Sequence, residues 1–333
     1  MTLRGKILLG VVGVLGIAVV ALAATLSYNA GCGTAAATDA AVPQMRAILY
    51  RCYGPPAVLR LELTPRPVPT DNQILVRVHA AAVNPLDWHF LRGEPYVMRL
   101  SSGLGRPAAP QLGVDFAGTV EAVGKDVTRF KPGDAVFGGR NGAFAEYLAV
   151  RADRAVVLKP ANVSFEEAAA VPVAAITALQ AVRDKGRVRP GQKVLVNGAS
   201  GGVGTYVVQI AKAYGAEVTG VSSTRNLELV RSLGADHVID YTRQNFTEGT
   251  QRYDVIIDNV GSQSLLAYRR VLTAEGIVVM VGSTSRGAWL GPLSRPLVAM
   301  VLSPFVSQTF EMLMSELNPA DMNTLRELLE SGS

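Results

Sequence analysis

Residues 197–204 read Asn-Gly-Ala-Ser-Gly-Gly-Val-Gly, and this run of small residues decides the fold of the second half of the chain. Gly198, Gly201 and Gly204 follow the spacing G-x-x-G-x-x-G. Three glycines alone are also typical of a plain turn, so their meaning depends on the flanking segments. Residues 193–196 predict a strand before the loop, and apolar residues after it recur at helical spacing. The loop therefore connects a strand to a core-facing helix.

The segments around this loop repeat the order of strand and helix. A helix is predicted to start at Ser164, because Glu167 follows three residues later as in a capping box. Further strands and helices alternate after the loop, at residues 217–222, 227–233, 237–240, 253–258, 265–272 and 276–283. Such alternation implies a parallel sheet covered by helices on both faces. Residues 164–305 therefore predict a doubly wound α/β domain, a Rossmann fold.

The preceding residues, 45–163, show a different pattern. Residues 74–80 alternate apolar and polar side chains, as a half-buried strand does. Residues 116–124 and 134–139 are further short strands, separated by glycines and by the Pro-Gly turn at 132–133. This part of the chain predicts a compact β-rich domain with few helices.

The position of the glycine loop indicates its role. At the first crossover of a doubly wound sheet, glycines let the backbone approach a pyrophosphate, and the next helix supplies amide donors from its N-terminus. We therefore predict that a dinucleotide binds there, held by Ser200, Gly201, Gly202, Val203 and Gly204.

The end of the second strand indicates which dinucleotide is bound. An NAD site places an Asp or Glu about 20 residues beyond the glycines, to hold the ribose hydroxyls. Residues 222–225 instead read Ser-Ser-Thr-Arg, without an acid. Hydroxyls and a guanidinium suit a 2′-phosphate, so Ser223 and Arg225 predict NADPH as the cofactor. The alternative is a solvated loop that is polar for no specific reason.

Length, charge and cysteine content exclude several classes of protein. The chain has 333 residues, enough for two domains, and a formal net charge of +5. Its basic residues are scattered, without the dense run or interleaved aromatics of a nucleic-acid site. Cys32 and Cys52 are too few for a disulfide framework or a four-cysteine zinc lobe.

The amino-terminal residues 1–27 suggest a membrane anchor or a signal segment. Residues 7–26 carry no charge and follow Arg4 and Lys6. A bilayer-spanning helix needs about 20 such residues. A cleaved secretory signal and a lipid attached to Cys32 are the alternatives. We predict a membrane localisation through residues 7–26, with the side undetermined, and a flexible linker over residues 28–44.

Several segments, in this order, resemble one known family. They are YGPPAVLRL (residues 53–61), AAVNPLDWHFLRG (81–93), LGVDFAGTVEAVG (112–124), FKPGDAVFG (130–138), GASGGVG (198–204), LGADHVIDY (233–241) and DVIIDNVG (254–261). Together they are similar to the medium-chain dehydrogenase/reductase superfamily, in its zinc-free quinone oxidoreductase-like branch. The resemblance implies a GroES-like β-rich catalytic domain over residues 45–163, followed by the Rossmann domain.

The resemblance also indicates that the site works without a metal. Asn84 stands where zinc-dependent alcohol dehydrogenases of the family carry a cysteine, and Val114-Asp115 stands where they carry a His-Glu pair. Without thiolate and imidazole ligands, we expect no zinc at that place.

Roles for individual residues follow from the resemblance. In zinc-free relatives the residues that match Asn84 and Asp87 line the nicotinamide and substrate pocket, and the one that matches Tyr53 borders it. Asn84 and Asp87 could instead serve as the cap and first-turn acid of a helix. The resemblance implies further cofactor contacts at Thr177, Tyr241, Val260, Gly261, Gly282 and Ser283.

These features predict an NADPH-dependent reductase. Hydride would pass to a quinone or to the β-carbon of an α,β-unsaturated ketone, with Asn84, Tyr53 or water meeting the charge on the acceptor oxygen. The alternative is a membrane-tethered protein that binds NADPH without catalysis. The family resemblance suggests a homodimer, and it leads us to expect that residues 306–333 are helical and that a returning part of the catalytic domain is missing after them.

Overall fold

The computed structural model describes residues 3–34, 41–284, 287–289, 291 and 294–332, with side chains from residue 12 onward. The chain forms two compact units, each described by itself below. The smaller unit comprises Met1–Arg66 and Pro85–Leu112, and the larger comprises Pro67–Asn84 and Gly113–Ser333.

Among its described residues, the smaller unit contains two antiparallel strands and three α-helices. Strands β1 (Gln44–Leu49) and β2 (Arg60–Pro65) pair antiparallel. The helices are α1 (Leu3–Ser27), α2 (Pro85–Arg92) and the short α3 (Arg99–Ser102).

Residues 26–32 are held firmly within this smaller unit. The Arg99 guanidinium donates to the main-chain oxygens of Leu26 and Tyr28, at 3.1 and 2.8 Å, and packs on the Tyr53 ring. Cys32 forms a disulfide with Cys52. The prediction of a flexible linker is therefore wrong for this stretch, because a buried cation and a covalent bond fix it. Residues 35–40 lie outside the described part of the chain.

The structure also corrects the predicted membrane segment. A span needs an apolar helix of about 20 residues. Across the residues that the structure describes, no helix combines the length and the apolar composition needed to cross a membrane. The predictions of a membrane span over residues 7–26, of a membrane localisation and of a membrane partner are therefore wrong.

The larger unit begins with an antiparallel five-stranded sheet. Its order is β6-β3-β4-β5-β7, formed by β3 (Gln73–Ala82), β4 (Asp115–Val123), β5 (Ala135–Gly139), β6 (Tyr147–Arg151) and β7 (Val156–Leu158). Ile74 and Val76, two residues apart on β3, are buried in one core together with Val120 of β4. The period-2 pattern of the sequence therefore marks the buried face of this β-rich domain.

A parallel six-stranded sheet follows in the same unit. Its order is β10-β9-β8-β11-β12-β13, formed by β8 (Lys193–Asn197), β9 (Glu217–Ser222), β10 (His237–Asp240), β11 (Tyr253–Asp258), β12 (Leu272–Met280) and β13 (Thr309–Met312). The order of the strands reverses between the adjacent β8 and β11, which is where an open α/β sheet binds its ligand.

Helices cover both faces of this sheet. They are α5 (Pro172–Gln180, continued by a π turn over Ala181–Lys185), α6 (Gly202–Ala213), α7 (Leu227–Ser232), α8 (Leu265–Val271), α9 (Ser294–Leu302) and α10 (Pro319–Ser331). The short α4 (Phe165–Ala169) instead packs on β3 and β4 of the antiparallel sheet. On β8, Val194 packs into the core beneath α5 and α6, and Leu195 packs into the core beneath α8. The predicted α/β fold, with its β-rich and Rossmann parts, is confirmed.

Candidate functional site

The carboxyl ends of the parallel strands place most of the predicted cofactor residues at one edge of the sheet. Asn197, Ser222 and Asp258 end β8, β9 and β11, and register pairs Asn197 with both Val221 and Asp258. The predicted residues that directly follow strands at this edge are Ser200, Gly201, Gly202, Val203, Gly204, Ser223, Arg225, Tyr241, Val260, Gly261, Gly282 and Ser283. The structure thus brings together residues that are far apart in the sequence.

The glycine loop is packed so closely that it admits no side chain at Gly204. A Cβ atom built on Gly204 would lie 2.0 Å from the main-chain oxygen of Gly198. Gly201 is the N-cap residue of α6, so the first amide groups of this helix point toward the loop. Asn226 donates to the Ser200 hydroxyl at 3.1 Å and joins this loop to the one after β9. The loop has the shape and the donors that a pyrophosphate needs.

The loop after β9 carries the residues predicted to select the cofactor. Arg225 is exposed and Ser223 is half-buried. Beside them lies Asp240 at the end of β10, whose carboxylate accepts hydrogen bonds from the Thr224 and Thr242 hydroxyls. These two bonds hold the pKa of Asp240 below its ordinary value. The sequence analysis missed this acid because it comes from the neighbouring strand.

The loops after β11 and β12 contain the predicted nicotinamide contacts. Val260 and Gly261 follow β11, and Gly282 and Ser283 follow β12, all of them half-buried. The main-chain oxygen of Asp258 accepts from the Gly282 amide at 3.1 Å, so the two loops are hydrogen-bonded to each other.

Thr177 lies on α5 and does not directly follow a strand. Its hydroxyl donates to the Val173 oxygen at 2.7 Å and to the Ser315 hydroxyl at 3.0 Å. Gln180, one turn later, bonds the main chain of Glu316 in both directions. In this structure Thr177 therefore fastens the segment after β13 to α5.

Asn84, which follows β3, is fixed by a buried carboxylate. Its amide nitrogen donates to Asp115 at 3.0 Å, and the same carboxylate accepts from the Val173 amide in the first turn of α5. Asp115 is fully buried. Burial, together with the charge of Asp115, raises the pKa of Tyr206 to about 12. The sequence analysis noted Asp115 only as a replaced zinc ligand and missed its role as partner of Asn84.

Tyr53 and Asp87 belong to the smaller unit. Both side chains are buried there, and the Tyr53 hydroxyl donates to the Gly103 oxygen at 2.7 Å and contacts the Ser102 hydroxyl at 2.9 Å. Burial raises the pKa of Tyr53, and the hydrogen bond with Ser102 acts against this rise. The Tyr53 hydroxyl thus has partners within its own unit.

Metal ligands are not clustered in the described part of the chain. Among the residues that the structure describes, no group of three or more His, Cys, Asp or Glu side chains could hold a metal ion. The absence of a metal from the site stays a prediction.

Two family profiles match the chain. The profile described as alcohol dehydrogenase GroES-like domain matches residues 70–161, and the one described as zinc-binding dehydrogenase matches residues 202–316. The first match covers the antiparallel sheet, and the second covers the parallel sheet from α6 onward.

Named proteins are similar to the chain over much of its length. The quinone oxidoreductase of Sus scrofa is 37% identical over 72% of this chain and 73% of its own. An NADPH-dependent alkenal/one oxidoreductase of Arabidopsis thaliana is 39% identical over 71% of this chain, but the match spans only 62% of that protein. The solved quinone oxidoreductase of Coxiella burnetii superposes with a TM-score of 0.75 at 30% identity, over 87% of this chain and 89% of its own.

Proposed function

Because the chain belongs to the quinone oxidoreductase-like members of the medium-chain dehydrogenase/reductase superfamily, we propose that it reduces a quinone or an α,β-unsaturated carbonyl compound with NADPH. The chain is an oxidoreductase of the medium-chain dehydrogenase/reductase type. Its relatives do not favour the alternative of a protein that binds NADPH without catalysis. The observation that carries the proposal is the glycine loop at the switch point of the parallel sheet, and the buried Asn84–Asp115 pair supports it.

The edge of the parallel sheet fits a dinucleotide. The tight approach at Gly204 and the N-terminus of α6 suit the pyrophosphate, which has negative charge and many acceptor oxygens. Val260, Gly261, Gly282 and Ser283 lie on the far side of the switch point, where the nicotinamide half would be held. Residues that follow the carboxyl ends of the parallel strands are therefore proposed to hold both halves of the cofactor.

The choice of NADPH over NADH rests on the loop after β9. Arg225 and Ser223 supply a cation and a hydroxyl for a 2′-phosphate. Asp240 accepts hydrogen bonds from Thr224 and Thr242, keeps its negative charge and would repel that phosphate. We propose that the attraction of the 2′-phosphate to Arg225 exceeds its repulsion by Asp240, because the guanidinium is exposed and able to reach a ligand.

The reaction needs a hydride donor and a group that stabilises charge on the acceptor oxygen. Bound NADPH supplies the hydride. We propose that the Asn84 amide hydrogen-bonds the acceptor oxygen, where negative charge develops. Asp115 orients that amide, and the Val173 amide holds Asp115 in place. A proton from water completes the reduction of the quinone or enone.

An assay of the full chain tests this function. NADPH oxidation is followed with 1,4-benzoquinone, with an unsaturated ketone and with no acceptor, each in the presence of a metal chelator. We expect NADPH to be consumed with the quinone or the ketone, and alcohol oxidation with NADP⁺ to stay negligible even with added zinc. Alcohol oxidation that requires zinc would contradict the proposal.

Pairing of two copies of the chain stays a prediction from the family. Sedimentation of the purified protein measures it directly.

A further inference from the structure

Asp258 is a fully buried carboxylate at the switch point of the parallel sheet. Its Oδ1 atom accepts a hydrogen bond from the Asn197 amide nitrogen at 2.8 Å, across the boundary between β8 and β11. A buried ionised group is costly unless it is paired and hydrogen-bonded, so the surroundings of Asp258 must supply partners.

The main partners of Asp258 are the loops predicted to hold the nicotinamide. Its Oδ1 atom also accepts from the amides of Val260 and Gly261, at 3.2 and 2.9 Å. Its main-chain oxygen accepts from the amides of Val281 and Gly282, at 3.0 and 3.1 Å. The carboxylate of Asp258 therefore fixes the loop after β11, and its main-chain oxygen fixes the loop after β12. A change in the position or charge of the carboxylate would be felt in the loop after β11.

The opposite charge comes from Arg295, at the start of α9. Its Nη1 atom lies 2.6 Å from Asp258 Oδ2, with side chains only 11% and 0% exposed. The two atoms form an ion pair without the angular geometry of a hydrogen bond. Nη2 donates to the main-chain oxygen of Gln263 at 3.3 Å, and a Cβ atom built on Gly261 would lie 2.9 Å from Nη1. The guanidinium is thus packed directly on the loop after β11.

Helix stability does not explain a cation at this place. Arg295 lies in the first turn of α9, where the helix dipole disfavours positive charge. A charged residue that is unfavourable for its own helix indicates that it serves the site around it. Tyr268 lies in the same cluster: burial and the charge of Asp258 raise the pKa of its hydroxyl, which therefore stays neutral. Arg295 is then the cation that balances Asp258.

We propose that Arg295 is a positioning residue for the nicotinamide half of the cofactor, acting through the Asp258 carboxylate on the loop that contains Val260 and Gly261. The proposal rests on the proposed function, because it assumes that this loop binds the nicotinamide. Without the guanidinium, Asp258 would be a buried and uncompensated anion. It would then rotate toward solvent, and this rotation would loosen the loop after β11 without touching the glycine loop proposed to bind the adenosine side.

The test compares a whole cofactor with its adenosine half. Calorimetry measures the binding of NADPH and of 2′,5′-ADP to the full-length wild type and to the Arg295→Met and Arg295→Lys variants. We expect Arg295→Met to weaken NADPH binding about tenfold and to leave 2′,5′-ADP binding nearly unchanged. The Lys variant retains a cation, so we expect it to restore part of the NADPH affinity and to remain informative if the Met variant does not fold.

Arg270→Met is the matched control, because Arg270 on α8 is exposed, whereas the Arg295 side chain is only 11% exposed. It should bind both ligands as the wild type does. Equal weakening of NADPH and 2′,5′-ADP in the Arg295 variants would overturn the proposal, since that result indicates general damage to the domain. Unchanged NADPH binding would overturn it too. Failure of the wild type to bind either ligand would instead reject the proposed function itself.

Discussion

The family resemblance places Asn84 where zinc-dependent relatives carry a cysteine and Asp115 in place of the acid of their His-Glu pair, and the structure joins Asn84 and Asp115 by a hydrogen bond. In a zinc enzyme the metal would polarise the substrate oxygen. Here the amide of Asn84 is held at 3.0 Å from Asp115, which also accepts from the Val173 amide at 3.1 Å. The pair therefore provides a rigidly oriented hydrogen-bonding group where the metal-dependent relatives hold an ion.

Removal of either member should slow catalysis more than it weakens cofactor binding. We expect Asn84→Ala and Asp115→Asn each to lower kcat about tenfold, with the KM for NADPH nearly unchanged, because a lost donor to developing charge acts mainly in the transition state. The double variant should lose little more than either single variant, since the two residues act as a unit. Steady-state kinetics measures this.

Asp126→Asn, at an exposed position of the same domain, is the control and should behave as the wild type. Strictly additive losses in the double variant would show that Asp115 does not act through Asn84.

Arg225 should decide between the two dinucleotides. Arg225→Gln removes the cation proposed to meet the 2′-phosphate, so we expect the KM for NADPH to rise about tenfold and the KM for NADH to stay unchanged. The ratio of the two KM values measures the effect. Arg231→Gln, which breaks an exposed ion pair with Glu228 on α7, should leave the ratio unaltered. An equal change for both cofactors would contradict the assignment.

Sequence patterns identified the residues that follow strands, but not their partners. The glycines and Arg225 could be predicted because each directly follows a strand whose position the apolar pattern gives. Asp115 and Arg295 act through contacts with residues distant in sequence, and Asp240 does so in its bond with Thr224. Only the folded chain brings these partners within hydrogen-bond distance, so no spacing in the sequence reveals them.

At the scale of elements, α5 joins several parts of the larger unit. Its first turn bonds Asp115 of β4, and Thr177 and Gln180 bond the segment after β13. The Asp321 carboxylate at the start of α10 accepts from Gln180 and from Arg183, both at 2.7 Å. This helix therefore links the β-rich domain to the end of the parallel sheet.

Acidification should release α10 from this network. Burial alone would raise the pKa of Asp321, but hydrogen bonds from Arg183, Gln180 and Asn318 bring it below its ordinary value. A lowered pKa in the folded state means that the stabilisation is present above about pH 4 and is lost as the pH falls through the folded value. We expect Asp321→Asn to lower the free energy of unfolding by about 2 kcal/mol at pH 7 and by less at pH 3.

Urea unfolding at both pH values measures this difference. Asp184→Asn is the control, because Asp184 is the more exposed partner of Arg183 and should matter little. A loss of equal size at pH 7 and pH 3 would rule out the titration of Asp321 as the cause.

Most helices and strands could be predicted from the sequence, with two exceptions given below. The strands before and after the glycine loop and the capping box at Ser164 were found where the patterns placed them. The sixth strand, β13, was missed because Thr309–Met312 is short and follows a proline-containing apolar stretch. The single helix predicted after Ser164 is divided into α4 and α5, with Pro172 beginning the second.

At the scale of the whole molecule, the amino-terminal residues are the largest departure from the prediction. The sequence alone suggested a flexible linker after a membrane anchor, because small and polar residues carry no pattern that reveals tertiary contacts. The structure instead fixes residues 26–32 within the smaller unit through Arg99 and the Cys32–Cys52 disulfide.

Loss of this disulfide should destabilise the smaller unit. The bond joins residues 20 positions apart, and a loop of that size corresponds to about 3 kcal/mol in the chain-entropy description. We expect the double variant Cys32→Ser, Cys52→Ser to lose about this amount. Urea unfolding followed by Trp88 fluorescence, in a Trp289→Phe background, reports on the smaller unit. A reductant should destabilise the parent and leave the double variant unchanged; an equal response of both would contradict a disulfide between these residues.

The most direct test of the whole account is a calorimetric titration of NADPH into the purified full-length protein, with a metal chelator present. The account predicts saturable binding of one NADPH per chain, and weaker binding of NADH. A well-folded sample that gives no binding heat with either dinucleotide would contradict it.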